Sequence, residues 1–213
     1  MYLSLIRKDY SIVLRNNIGL LIAQMLFILI IVSTNLGIMG YAIMAVSFGW
    51  QILMTVSAKD KMNHSMSLLL SMPFQKKTIV NARYMSVMLG FAFVSLFYIV
   101  IVEITKFFHV FLFKPLSIEV FFLTLCAYSL FASVTLPLYL KFEDSVVRGI
   151  SLFSILGVTI LGVLIWDNTN IRFLIDSMTW LKEYYAIICV AVIFLSITIS
   201  RSVSMYFFES MEF

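Results

Sequence analysis

Ionisable residues are scarce in this chain, and their scarcity sets its class. Only 12% of the 213 residues are charged, 62% are hydrophobic, and the mean hydropathy is +1.03, values far from those of soluble domains. A water-soluble enzyme is a poor fit and an integral membrane protein a good one. Cysteine is limited to Cys126 and Cys189, both inside apolar runs and without His or acidic neighbours at metal-ligand spacing, so both read as small core residues. His64 and His109 stand apart in different segments, which argues against a zinc site or a Ser/His pair. No lysine follows a glycine, so the phosphate-cradling GxxxxGK[ST] loop is missing. With no HExxH run or glutamate pair either, the sequence offers no catalytic residue, no metal site and no cofactor site of its own. The opening residues are amphipathic rather than a short apolar region ending in small residues, so no cleavable signal peptide is expected.

What is present is a series of long charge-poor runs. A bilayer core of ~30 Å asks for about 20 apolar residues per helix, and about six such runs recur. They are 18–34, 36–57, 84 to at least 102, 118–140, 147–166 and 185–200. The first two are separated by the polar turn Ser33, Thr34, Asn35, Gly37, so they form a helical hairpin. The third is followed by the aromatic stretch Phe107, Phe108, Phe111, Phe113, which Lys114 and Pro115 end. Runs this long without alternation exclude a β-barrel. The expected fold is all-α, a single membrane domain over 1–213 with six transmembrane helices.

Eleven of the 15 Lys and Arg residues fall in segments on one side of that arrangement. The positive-inside tendency makes that side cytoplasmic and places both termini there. The net charge of +4 is then a membrane-anchoring pattern, with no nucleic-acid partner implied. At the N-terminus, 1–16, Leu3, Ile6, Tyr10, Val13 and Leu14 take one helical face with Ser4, Arg7, Lys8, Ser11 and Arg15 opposite. That pattern suits an interfacial helix on the inner leaflet, as a basic anchor or as an elbow bracing the bundle.

Ionisable groups inside the spans are the usual mark of an ion-coupled carrier. Glu103 is the one serious candidate, and Lys106 at i+3 makes an interfacial ion pair the simpler reading. Gln24, Asn35 and Gln51 are expected to be interhelical hydrogen-bond partners. The outer segment 167–183, containing Trp180, reads as a short exit-side helix or as an interfacial cap held by Trp166, Trp180, Tyr184 and Tyr185.

Between the second and third spans lies a basic amphipathic insert, 59–83. Met62, Met66, Leu69 and Pro73 recur at helical spacing with Leu70 beside them, while Lys61, His64, Ser65 and Ser71 take other positions. Pro73 ends that helix. Gln75, Lys76 and Lys77 make a basic turn, and Thr78 is placed to cap the helix returning to the membrane. The apolar face suits either lipid headgroups or a groove in a partner protein.

The run SLLLSMPFQKKTIVNARYMS resembles the hallmark of small permease subunits of ABC-2 type transporters: an LLLSLP-like run, a basic turn, and an I-V-x-[AS]-[KR]-Y segment entering the third span. Leu68, Leu69, Leu70, Ser71, Pro73, Lys77, Ile79, Val80, Ala82, Arg83 and Tyr84 carry it. A second similarity lies in LPLYLKFEDSVVRG, through Leu136, Pro137, Leu138, Tyr139, Lys141, Phe142 and Arg148. Glu143 and Asp144 depart from the more basic or neutral residues common in that loop.

The resemblance implies a bacterial cell-membrane permease that pairs with a second permease chain, identical or homologous, and is driven by a cytoplasmic ABC ATPase subunit holding the ATP and Mg. It makes the insert a coupling helix, with Lys61, Met62, Met66, Leu69, Leu70, Pro73, Lys76 and Lys77 toward the ATPase, and Lys141, Phe142, Glu143, Asp144 and Arg148 in a second inner loop. The 20 phenylalanines and few polar groups in the spans favour hydrophobic or amphipathic cargo. Among relatives of this size, the resemblance favours exporters of bacteriocins and of phenol-soluble modulins. The alternative is a membrane immunity or sensor protein that binds a toxic peptide without an ATPase.

Overall fold

Residues 2–31, 37–62, 75–109, 115–142, 146–153 and 179–209 are described by a computed structural model, and no β-strand occurs among them. The helices are α1 (Tyr2–Ile31), α2 (Gly37–Met62), α3 (Lys76–Phe107), α4 (Ile118–Lys141), α5 (146–153) and α6 (Thr179–Glu209). Among the described residues four stretches are long and apolar enough to cross a membrane: Gly40–Asp60, Lys76–Phe107, Ile118–Lys141 and Tyr184–Phe208. These correspond to the second, third, fourth and sixth expected spans. Much of the fifth expected span, 154–166, lies outside the described residues, as does the end of the first.

The helices α2 and α3 form the centre. They run antiparallel: near one end the Tyr41 hydroxyl meets Ser95 Oγ at 2.6 Å, and near the other Asp60 pairs with Arg83. Helix α1 packs on both, α4 lies against α2, and α6 runs along α4 while also touching α3. Tyr41, Tyr98 and Tyr128 are fully or almost fully buried where these helices meet. Close approach at the centre depends on glycine. A Cβ at Gly49 would stand 2.5 Å from Tyr128 Cε2, and the Tyr128 hydroxyl donates to the Val87 carbonyl at 2.7 Å. The outer side of α3 shows Met85, Leu89, Phe93, Leu96, Val100 and Ile104, all exposed, the apolar stripe expected against acyl chains.

Several boundaries differ from expectation, each because helical propensity and packing carry a helix beyond its lipid-spanning part. At the N-terminus α1 is continuous from Tyr2 to Ile31, so 2–16 forms the first part of that helix. Its buried face holds Leu5, Ile6, Asp9 and Val13, while Leu3 and Leu14 are exposed. Within 59–83, residues up to Met62 belong to α2 and those from Lys76 to α3, while 63–74 lies outside the described residues. Thr78 is not the cap: Gln75 takes that position, and its carbonyl accepts from Thr78 N at 2.8 Å and Ile79 N at 3.4 Å. Trp180 and Lys182 belong to α6 rather than to an outer helix, while 167–178 lies outside the described residues.

At the other end of α3, Lys106 Nζ reaches Glu103 Oε1 at 2.7 Å, with both side chains exposed, as the i, i+3 spacing suggests. His109 follows in the left-handed conformation, φ 56, and ends the helix. Gln51 differs from expectation: it is buried, and among the described residues neither its side-chain nitrogen nor its oxygen has a hydrogen-bond partner. The side chain of Gln24 and the whole of Asn35 lie outside the described residues.

Candidate functional site

Where α2 ends and α3 begins, buried polar side chains from three helices come together. Asp60, in the last turn of α2, is 3% exposed, and Arg83, two turns into α3, is 9% exposed. The Arg83 Nη2 donates to Asp60 Oδ2. Lys8, from α1, donates to Asp60 Oδ1 at 2.8 Å. Asp9 faces the same guanidinium from α1, with Ser86 beside it. Burial raises the Asp9 pKa from 3.8, and attraction to Arg83 and Lys8 only partly offsets the rise. Tyr10, next in sequence, donates to the Ser86 carbonyl at 2.9 Å and is pushed up to about 12 by burial and by Asp9. Three helices are thus tied by charge at one point, and such buried pairs add little net stability while the loss of one partner is costly.

A second polar junction lies one residue further along α3. Pro137 sits inside α4 and has no N–H for the carbonyl four residues back, at Ser133. That carbonyl is taken by the Ser200 hydroxyl of α6 at 2.6 Å. The Tyr84 hydroxyl meets Ser200 Oγ at 2.5 Å and Ser204 Oγ at 2.9 Å. A proline in a membrane helix is tolerated when a neighbour's hydroxyl re-satisfies the freed carbonyl, and Ser200 does so here. Arg83 and Tyr84 of the first motif and Pro137 of the second, separated by more than fifty residues, are therefore parts of one joint between α2, α3, α4 and α6.

This joint yields a measurable result. Ser200→Ala should destabilise the detergent-solubilised protein by about 1 kcal/mol, by leaving the Ser133 carbonyl and Tyr84 hydroxyl short of a partner. Adding Pro137→Ala restores a backbone donor to Ser133, so the double variant should recover part of that loss in thermal unfolding. Strictly additive losses would refute the shared-carbonyl reading.

The segment after α4 begins at the same end of the bundle. Lys141 closes α4, and its Nζ lies 4.5 Å from the centre of the Phe207 ring and 5.5 Å from that of Phe142, cation–π contacts that join α4 to α6. Phe142 is the C-cap, its N–H donating to the Leu138 carbonyl. Arg148 is exposed on α5, whose Ser151 accepts from Trp50 Nε1 at 2.7 Å. Glu143 and Asp144 lie outside the described residues.

A model of the ABC-2 family transporter protein matches residues 4–209. The chain belongs to that family. No curated protein and no solved structure matches it. It is accordingly a multi-pass membrane protein of a transporter, and its motif residues take places within the ABC-2 chain that the sequence did not foretell. Met62 is the exposed last residue of α2, and Lys61 precedes it in that helix. Lys76 and Lys77 open α3 instead of forming a turn. Met66, Leu69, Leu70 and Pro73 lie outside the described residues. The residues that sequence reasoning missed are Asp9 and Asp60. The available signal was their charge on otherwise apolar helices, since an acidic residue at a membrane face needs a partner.

Proposed function

We propose that this chain is the permease subunit of an ATP-driven exporter, pairing with a second permease chain and driven by a separate ATP-binding subunit that supplies the ATP and Mg. Its cargo is a hydrophobic or amphipathic peptide, and both termini face the cytoplasm. In this reading 63–74 is the coupling segment, seated in the ATP-binding subunit through Met66, Leu69 and Leu70 with Pro73 closing it. Lys61, Lys76 and Lys77 flank it, and the loop after Lys141 makes a second contact. Family membership supports the transporter role.

The observation that carries the coupling proposal is the Asp60–Arg83 pair across the base of that segment. A loop anchored on two independent helices would swing when pushed, whereas a loop whose roots are tied by a buried charge pair transmits displacement to both helices as a unit. Tyr84, adjoining Arg83, carries the movement to α6 through Ser200 and Ser204.

The test is a pull-down of the tagged full-length protein, expressed from its own operon, with mass spectrometry of the proteins recovered. A P-loop ATPase is expected in the eluate of the native chain and absent from that of Met66→Asp or Leu69→Asp, while membrane insertion of both variants is normal. Recovery of the ATPase at native levels with both variants would sink the coupling assignment. Failure to recover any ATPase with the folded native chain would remove the exporter reading itself.

A further inference from the structure

Helix α1 has two faces with different chemistry. Leu5, Ile6, Asp9 and Val13 are buried against α2 and α3. On the opposite face Arg7, Ser11 and Arg15 follow one another at four-residue spacing, all exposed, and with Tyr10 and Leu14 they line a shallow hollow of about 440 Å³. Among the described residues neither Arg7 nor Arg15 makes an ion pair. The same face then turns apolar: Ile18, Ile22 and Leu26 continue at four-residue spacing from Leu14, each more than half exposed.

We infer that this face of α1 is a binding track for one anionic phospholipid, with Arg7, Ser11 and Arg15 holding the headgroup phosphate and Ile18, Ile22 and Leu26 lying along its acyl chains. Three features point to that occupant. Two unpaired guanidiniums flank a hydroxyl, a set of donors suited to phosphate oxygens. The apolar stripe begins one turn beyond the second arginine, as a headgroup-to-chain order requires. Its length also fits: Arg15 to Leu26 spans ~16 Å at the α-helical rise, against ~15 Å for half of a bilayer core. An acidic protein surface would complement the arginines alone and leave the apolar half unexplained. Because Asp9 and Lys8, on the neighbouring faces of the same turns, belong to the buried charge cluster, lipid seated on this track would hold α1 in the position from which it reaches Asp60 and Arg83.

The experiment is native mass spectrometry of the full-length chain in detergent, delipidated and titrated with equimolar phosphatidylglycerol and phosphatidylcholine. One basic residue near a charged surface contributes about fivefold in affinity, so the two arginines should favour phosphatidylglycerol about thirtyfold. Arg7→Gln and Arg15→Gln should each lower that preference about fivefold and the double variant should abolish it, while Lys76→Gln/Lys77→Gln leaves it within twofold. Both arginines are exposed, so these variants are expected to fold, which size-exclusion elution verifies. An unchanged preference in the double variant would overturn the site, as would an equal loss in the Lys76/Lys77 variant. Glycerophosphoglycerol, the same headgroup without chains, should fail to displace the lipid; equal potency would make this an anion site and remove the lipid track. Loss of a co-purifying protein from the double variant, with lipid preference intact, would assign the face to that protein instead.

Discussion

Arg83→Met is expected to be the most damaging single substitution within the described residues. It removes the guanidinium that Asp60 and Asp9 share and leaves two buried carboxyls beside Lys8. Removing one partner of a buried pair costs about 3–5 kcal/mol, because the remaining charge stays desolvated. Detergent unfolding should register that loss, and any protein that still folds should export poorly because the roots of 63–74 are no longer tied. Asp60→Asn should be severe as well, and the double variant Asp60→Asn/Arg83→Met should cost less than the sum of the two, since each single change orphans what the other removes. Asp9→Asn is the contrasting control. Folding raises the Asp9 pKa, so the native state binds that proton more tightly than the unfolded state does. Its effect is to lower stability as pH rises from 3.8 through the raised value, and asparagine removes that decline at little cost. Equal losses at Asp9 and Arg83 would refute this ordering.

Gly49→Ala comes next. The added methyl would meet Tyr128 at 2.5 Å from Cε2, 2.6 Å from the hydroxyl and 2.8 Å from Cζ, inside contact distance for a ring that has no room to retreat. Tyr128 is fully buried, stacks obliquely on Phe91 at 5.1 Å between ring centres, and is held by its bond to the Val87 carbonyl. Overpacking of this kind costs about 1–3 kcal/mol, and the α2–α4 contact should loosen. Thermal unfolding of Gly49→Ala, alone and with Tyr128→Val, measures it: the smaller side chain makes space for the methyl, so the pair should lose less than the two changes summed. Gly90→Ala is milder, because the closest atom there is the flexible tip of Ile52 at 2.7 Å. A Gly49→Ala protein as stable as the native chain would mean that α2 and α4 pack less closely than described.

Hydropathy made the helical class and the fourth span legible at once. Ile118–Lys141 matches the expected run to within a residue at its far end, because Ser117, whose side chain accepts from Val120 N at 3.3 Å, caps its start and Phe142 ends it. The Glu103–Lys106 pair was equally readable, since i, i+3 neighbours meet whatever the tertiary fold. Helix ends elsewhere were not. Periodicity reports where a helix leaves lipid, whereas α1, α2 and α6 continue through polar residues while neighbours pack against them. On 1–16, Ile6 and Val13 of the expected apolar face are buried and Arg7, Ser11 and Arg15 opposite them exposed, whereas Leu3 and Leu14 are exposed and Asp9 is buried facing Arg83.

By itself the sequence determined that this chain is a helical membrane protein and that its motifs resemble those of the ABC-2 family. These follow from composition and local order, which are fixed residue by residue. Only the tertiary structure decided that Arg83 pairs with Asp60 and Lys8 joins them, that Tyr84 reaches Ser200, and that Pro137 frees the carbonyl which Ser200 then takes. Those bonds link residues from 23 to 116 positions apart. A buried polar group takes whatever partner the packing of helices brings within reach, and no local pattern encodes which one that is.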